Sequence, residues 1–192
     1  MDELRGDLGE LLTNSYNSQN DAKHNLEKKG YKYDNDLSTM QSKIFINEID
    51  EPIVVHRGSV TLNDWIDDAK IALGFDKKNI KRVEDAKNLN ELLKEKYKKP
   101  VHNVGHSLGG YIAENANGNG NIITYNKASG LGDLFTKKNK KRQLDVFANG
   151  DVASIIPQST QNSNKEFITV KRSSIFKPIR IKNAHSTSNL FH

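Results

Sequence analysis

The chain has no cysteine in its 192 residues, which excludes disulfides, thiolate zinc sites and a cysteine nucleophile. It also lacks any apolar run near the ~18 residues that a membrane-spanning helix needs. No internal repeat and no long linker interrupts it, so the length predicts one domain, residues 1–192, large enough for a sheet covered on both faces. The basic-then-apolar layout of a signal peptide is missing too: Met1 to Asp7 is acidic and amphipathic. An intracellular, cytoplasmic protein is the expectation.

Acidic charge is scarce in one half only. Residues 1–100 carry 17 Lys/Arg and 19 Asp/Glu, whereas residues 101–192 carry 12 and 5. Much of the excess is Lys137, Lys138, Lys140, Lys141 and Arg142, joined by Lys171, Arg172, Lys177, Arg180 and Lys182. A solvated basic loop is the favoured reading of that cluster. Peripheral contact with an anionic membrane is the functional alternative. Charge alone does not make a nucleic-acid binder, and none is expected.

What is present centres on Gly105-His106-Ser107-Leu108-Gly109-Gly110. The pattern Gly-x-Ser-x-Gly places a serine on a sharp turn between a strand and a helix. Glycines flank it because the turn leaves no room for side chains, and Ser107 is expected to adopt strained backbone angles. The helix that follows aims free N–H groups and a positive dipole end at the place where an oxyanion would form. Val101 to Val104 reads as the buried strand before the turn, and Tyr111 to Ala116 as the helix after it, stopped by Gly118 and Gly120.

The remaining pattern is α/β. Residues 2–29 read as one or two helices, with Leu4, Leu8, Leu11 and Leu12 on one apolar face and Gly30 as the stop, within an N-terminal helical segment of residues 1–40. The catalytic core is expected over 41–192. Strands are predicted over Gln41 to Glu48, Pro52 to His56, Asn121 to Asn126, Gln143 to Ala148, Glu166 to Val170 and Ile175 to Lys182. Leu62 to Leu73 reads as a short helix. A long amphipathic helix is predicted over Asn79 to Lys98, with Ile80, Val83, Leu89, Leu92 and Leu93 turned inward. The alternation argues for a mostly parallel sheet, whose active residues gather at the carboxyl ends of strands.

A serine hydroxyl needs a histidine to take its proton and a carboxylate to hold that histidine. In the fold that carries this turn the chain order is serine, acid, histidine. Only His185 and His192 follow Ser107, and the terminal His192 is a poor base, which favours His185. Among the later acids, Glu114 lies on the helix after the turn and Asp145 inside a strand, while Asp151 follows a strand in the turn Asn149-Gly150-Asp151. Asp151 is the favoured acid, with Asp133 as the alternative. The Leu108 N–H and Ser59, in the loop His56-Arg57-Gly58-Ser59, are the candidate oxyanion donors.

These segments together resemble the class 3 lipase family, a branch of the α/β-hydrolases. The matching residues are Val54 to Ser59, Asp64-Trp65, Gly105 to Gly110 and Asp151 to Pro157, in the family's order. The resemblance implies an α/β-hydrolase fold: a mostly parallel central sheet with helices on both faces, here with a minimal lid or none. It implies Ser107 as nucleophile, Asp151 as acid, His185 as base, and Ser59 with Leu108 as oxyanion donors, with no metal and no cofactor. The substrate it implies is a lipid or small ester, cleaved by a lipase, esterase or phospholipase. A catalytically silent module that binds an anionic membrane or a partner is the alternative. The chain departs from the family at Tyr125 to Gly130, which replaces a Phe-Gly-x-Pro-Arg segment. Only Val60 to Lys78 has the place of a lid.

Overall fold

The structure is a computed structural model and describes residues 1–58, 77–127, 142–148 and 164–168. Three short helices open the chain: α1 (Asp2–Gly6), α2 (Leu8–Tyr16) and α3 (Gln19–Glu27). Ser18 caps α3, its hydroxyl accepting the Asp21 N–H at 3.1 Å and donating to the Asp21 carboxylate. The end of α3 is closed by Gly30 at φ 89°, where the Gly30 N–H reaches the Glu27 carbonyl and the Tyr31 N–H the Leu26 carbonyl. The sequence reading of one or two helices here becomes three because the chain turns at Asp7 and again at Asn17.

Among the described residues, the strands are β1 (Lys32–Tyr33), β2 (Ser42–Ile46), β3 (Pro52–His56), β4 (His102–His106), β5 (Ile122–Tyr125), β6 (Gln143–Ala148) and β7 (Asn164–Ile168). They form one sheet of seven in consecutive order. The β1–β2 and β2–β3 pairs are antiparallel, joined in the second case by a turn with Asp50 at φ 60°. From β3 to β7 every pair is parallel. Among the described residues, the helices in the parallel part are α4 (Lys77–Tyr97), between β3 and β4, and α5 (Leu108–Asn115), between β4 and β5.

Strand alternation divides the core. Phe45, Ile53, Val55, Val104, Ile123 and Val146 face one way and pack with Leu4, Leu8, Leu11, Leu12 and Leu26 of the N-terminal helices. Ile44, Ile46 and Val54 face the other way and pack with Leu93 of α4, while Leu108 and Ile112 of α5 pack with Ala86. Helices therefore cover both faces of a mixed, mostly parallel α/β sheet.

Two expectations for the helices change. Leu92 is 51% exposed rather than inward, because Ala86, Leu89, Asn90 and Leu93 fill the stripe that meets the sheet. The helix after the turn ends at Asn115, and Asn117 at φ 57°, not Gly118, takes the left-handed step. The helix expected over Leu62 to Leu73 and the strand expected over Ile175 to Lys182 lie outside the described residues, as does most of Val60 to Lys78.

Candidate active site

Strand β4 is buried along its whole length and ends at His106, and Ser107 follows at φ 54°, ψ −123° before the first residue of α5. A non-glycine residue at such angles is held there at a cost of about 1–3 kcal/mol, so its surroundings must impose them. They do. A β-carbon on Gly105 would lie 2.1 Å from the Gly109 carbonyl oxygen, and one on Gly109 would lie 2.1 Å from the His56 carbonyl oxygen. The turn is thus pressed against the end of β3. The Ser107 N–H is tied to the Tyr125 carbonyl of β5 at 3.0 Å, and the Ser107 carbonyl accepts the Gly110 N–H at 2.9 Å. Leu108 opens α5, whose first N–H groups lack intrahelical acceptors and form the positive end of the helix dipole.

The loop after β3 comes directly to this turn. A β-carbon on Gly58 would sit 3.2 Å from Ser107 Cβ and 2.6 Å from the His106 carbonyl oxygen. The Gly58 N–H donates to the Tyr16 hydroxyl at 3.1 Å, and that hydroxyl pairs with His106 Nδ1 at 2.7 Å. The His106 ring also stacks on Tyr125, centroids 5.6 Å apart. Arg82 on α4 donates to the Arg57 carbonyl at 2.7 Å.

Beneath α5 lies a buried polar cluster. Lys127 Nζ contacts Asp145 Oδ2 at 2.8 Å and Glu114 Oε2 at 3.4 Å. Asp145 Oδ1 also accepts from Thr124 Oγ1 at 2.7 Å and from Gln143 Nε2 at 2.8 Å. A β-carbon on Gly110 would meet Lys127 Cβ at 2.7 Å, so this cluster supports the first turn of α5. It commits both Glu114 and Asp145 to structure. Glu166 of β7 is likewise committed: Arg5 Nε donates to its Oε2 at 2.7 Å, which holds the carboxyl below its ordinary range.

The histidines of the sheet are occupied as well. His56 Nε2–H donates to Asn103 Oδ1 at 3.0 Å while Nδ1 accepts from the Ser42 hydroxyl at 2.9 Å. His102 Nδ1 accepts the Asn121 N–H at 2.9 Å and Nε2–H donates to Glu51 at 2.8 Å. Among the described residues, no group of three or more His, Asp or Glu side chains could hold a metal ion, and no helix is long and apolar enough to cross a membrane.

Of the residues singled out from sequence, Gly105, His106, Ser107, Leu108 and Gly109 are brought together at the turn, and Gly58 brings the loop that precedes Ser59 beside them. Ser59, Asp133, Asp151 and His185 lie outside the described residues, as do Lys137, Lys138, Lys140 and Lys141. Arg142 is exposed, and its guanidinium donates to the Asn119 carbonyl. Sequence reasoning passed over Tyr16, Lys127 and Asn90. Polar residues inside otherwise ordinary segments carry no signal of the distant groups they meet.

A family model for a phospholipase-like unit, the Tle-like phospholipase domain, matches residues 12–161. The chain belongs to this family. The match takes in the last part of α2, the loop after β3, the serine turn and Asp151. It supports a lipase- or phospholipase-like relationship, and does not single out the class 3 lipases within it. No curated protein matches the chain. For a Tle-like phospholipase domain, a hydrolase acting on lipid esters is the activity that the family suggests.

Proposed function

We propose that this chain is a serine hydrolase with an α/β-hydrolase fold that cleaves carboxylic esters of phospholipid-like substrates through an acyl-enzyme. Ser107 Oγ attacks the ester carbonyl as His185 takes its proton, and Asp151 orients and stabilises the imidazolium. The tetrahedral oxyanion accepts hydrogen bonds from the Leu108 N–H and from Ser59. His185 then protonates the leaving alcohol, and water, activated by the same histidine, releases the fatty acid. No metal or cofactor enters these steps.

The observation that carries the reading is the backbone of Ser107, a buried residue at φ 54° between β4 and α5 with the Gly58 loop against it. Elimination among the other candidates supports the partners. His56, His102 and His106 are tied into the sheet and α2, and Glu114, Asp145 and Glu166 into ion pairs, which leaves Asp133 and Asp151 as acids after Ser107. Family membership supplies the substrate class.

The test is labelling with a fluorophosphonate, alongside fatty-acid release from phospholipid vesicles. Wild type should label and hydrolyse, Ser107→Ala should do neither, His185→Asn should lose about 10⁶-fold in kcat and Asp151→Asn about 10⁴-fold. A wild type that neither labels nor hydrolyses, or a Ser107→Ala variant that still does, overturns the proposal. Retained activity in Asp151→Asn with loss in Asp133→Asn would move the acid to Asp133.

A further inference from the structure

The β3–β4 ladder ends at the His56–Gly105 pair, so the segment Arg57-Gly58 and the segment His106-Ser107 run on beyond its last register pair. Those are the two segments whose separation matters most to a serine hydrolase. One presents the loop of Ser59, and the other presents the nucleophile. The side chain of Tyr16, which comes from neither strand, bridges them.

Tyr16 is the last residue of α2. The carbonyl of its neighbour Ser15 accepts from Lys43 Nζ at 2.7 Å, and Lys43 is buried on β2, so the end of the helix is fastened to the sheet. From there the Tyr16 oxygen accepts the Gly58 N–H at 3.1 Å and lies 2.7 Å from His106 Nδ1. Burial above all pushes the phenol up to about 12, against the smaller pull of the Gly58 N–H and the charges of Arg57 and Arg82, so it keeps its proton at neutral pH. A phenol has one proton to give. Gly58 is a donor, so that proton goes to His106 Nδ1, and the His106 ring must then carry its own hydrogen on Nε2. The bridge is directional from end to end: the Gly58 N–H to the Tyr16 oxygen, and the Tyr16 O–H to the His106 ring.

We propose that Tyr16 is a positioning residue whose hydroxyl clips the oxyanion loop to the nucleophile turn and sets their separation. The proposal rests on the serine-hydrolase reading and goes beyond it, because it makes the end of an N-terminal helix part of the catalytic framework. Gly58 directly precedes Ser59, and His106 directly precedes Ser107, so a movement at either end of the clip passes through one peptide unit to the reacting groups. Oxyanion donors work by being preorganised, and a misplacement of about 1 Å can cost about 10²-fold in rate. The family match begins at residue 12, within α2, and so includes Tyr16.

The experiment compares Tyr16→Phe with Tyr31→Phe in the full chain. Tyr31 is the control, a tyrosine packed in the core whose hydroxyl donates to Asp7 at 2.7 Å. Tyr16→Phe should lower kcat on a phospholipid ester by roughly 10- to 100-fold, with KM changed by less than about 2-fold. It should also shift the Gly58 amide resonance and release His106 from its Nε2–H tautomer, read from imidazole ¹⁵N shifts. Tyr31→Phe should keep wild-type kcat even if its unfolding midpoint falls as far. An active wild type with an equally active Tyr16→Phe overturns the clip alone, as does a Tyr31→Phe that loses kcat to the same degree. An inactive, unlabelled wild type overturns the reading beneath the proposal, and the clip with it.

Discussion

Gly6 closes α1 and Gly109 lies in the first turn of α5, and what a β-carbon would meet separates them. At Gly6 nothing lies within 4 Å, so Gly6→Ala replaces a poor helix former by a good one and should raise stability by up to about 1 kcal/mol. At Gly109 the new carbon would lie 2.1 Å from the His56 carbonyl oxygen and 2.9 Å from the Arg57 carbonyl carbon. Backbone cannot swing aside as a side chain can, so Gly109→Ala should cost about 3 kcal/mol, read as a lower urea midpoint. His56 gives a pH-dependent case. Burial, with the nearby Arg82 charge adding to it and the bond to Asn103 opposing it, holds the imidazole down to about 4. Between pH 6.5 and about 4 the unfolded chain binds a proton there that the native chain refuses. This contribution is therefore intact above pH 6.5 and is lost on acidification, by about 3 kcal/mol in all. His56→Gln, whose amide N–H can still reach Asn103, should flatten that part of the urea-midpoint profile. Parallel profiles for wild type and variant would contradict the account.

Helix α4 shows how far an element can be read from its own residues. Its hydrophobic spacing announces an amphipathic helix, and Val83, Leu89 and Leu93 lie on the stripe as expected. The spacing does not say where the stripe ends, because Leu92 is as apolar as Leu93 and only one of them meets the sheet. Nor does it mark Asn90 as inward, yet its amide donates to the Ala116 carbonyl at 2.6 Å and to Asn103 at 3.2 Å. Leu93→Ala should cost about 2–5 kcal/mol and Leu92→Ala less than about 0.5, measured by urea unfolding at neutral pH. Strand β5 carries a stronger effect at its end. Lys127 stands between Asp145 and Glu114 with no exposure, so Lys127→Met would leave two buried carboxylates facing each other. A loss of about 3–5 kcal/mol is expected, with recovery of part of it at low pH where one carboxyl can take a proton.

At the scale of the whole molecule, consecutive strand order constrains where the helices go. Parallel crossovers are right-handed, so a sheet that runs β3, β4, β5 in one direction sends α4 and α5 to the same face. The opposite face must be covered by something else, and α1 to α3 cover it. The strands Pro52–His56 and Gln143–Ala148 and the strained Ser107 were legible because each depends on residues next to one another in the chain. The cover, the clip at Tyr16 and the tie from Arg5 to Glu166 were not, since their partners lie on other elements, Gly58 and His106 for Tyr16 and Glu166 for Arg5, and nothing local encodes them. The consequence is testable by truncation. Leu8, Leu11, Leu12 and Leu26 are fully buried, each worth about 1.5–3 kcal/mol. Together they approach the 5–15 kcal/mol that holds a typical domain folded. Removing residues 1–30 would also bare Phe45, Val55, Val104 and Ile123 on the sheet. The fragment 31–192 should therefore lack a cooperative thermal transition and near-ultraviolet circular dichroism, and should bind a hydrophobic dye. The fragment 12–192 keeps Tyr16, Lys43, Leu12 and Leu26 but loses Arg5, Leu4, Leu8 and Leu11, so it should unfold cooperatively at a lower temperature than the full chain. If 31–192 folds as cooperatively as the full chain, the N-terminal helices are an appendage rather than half of the core.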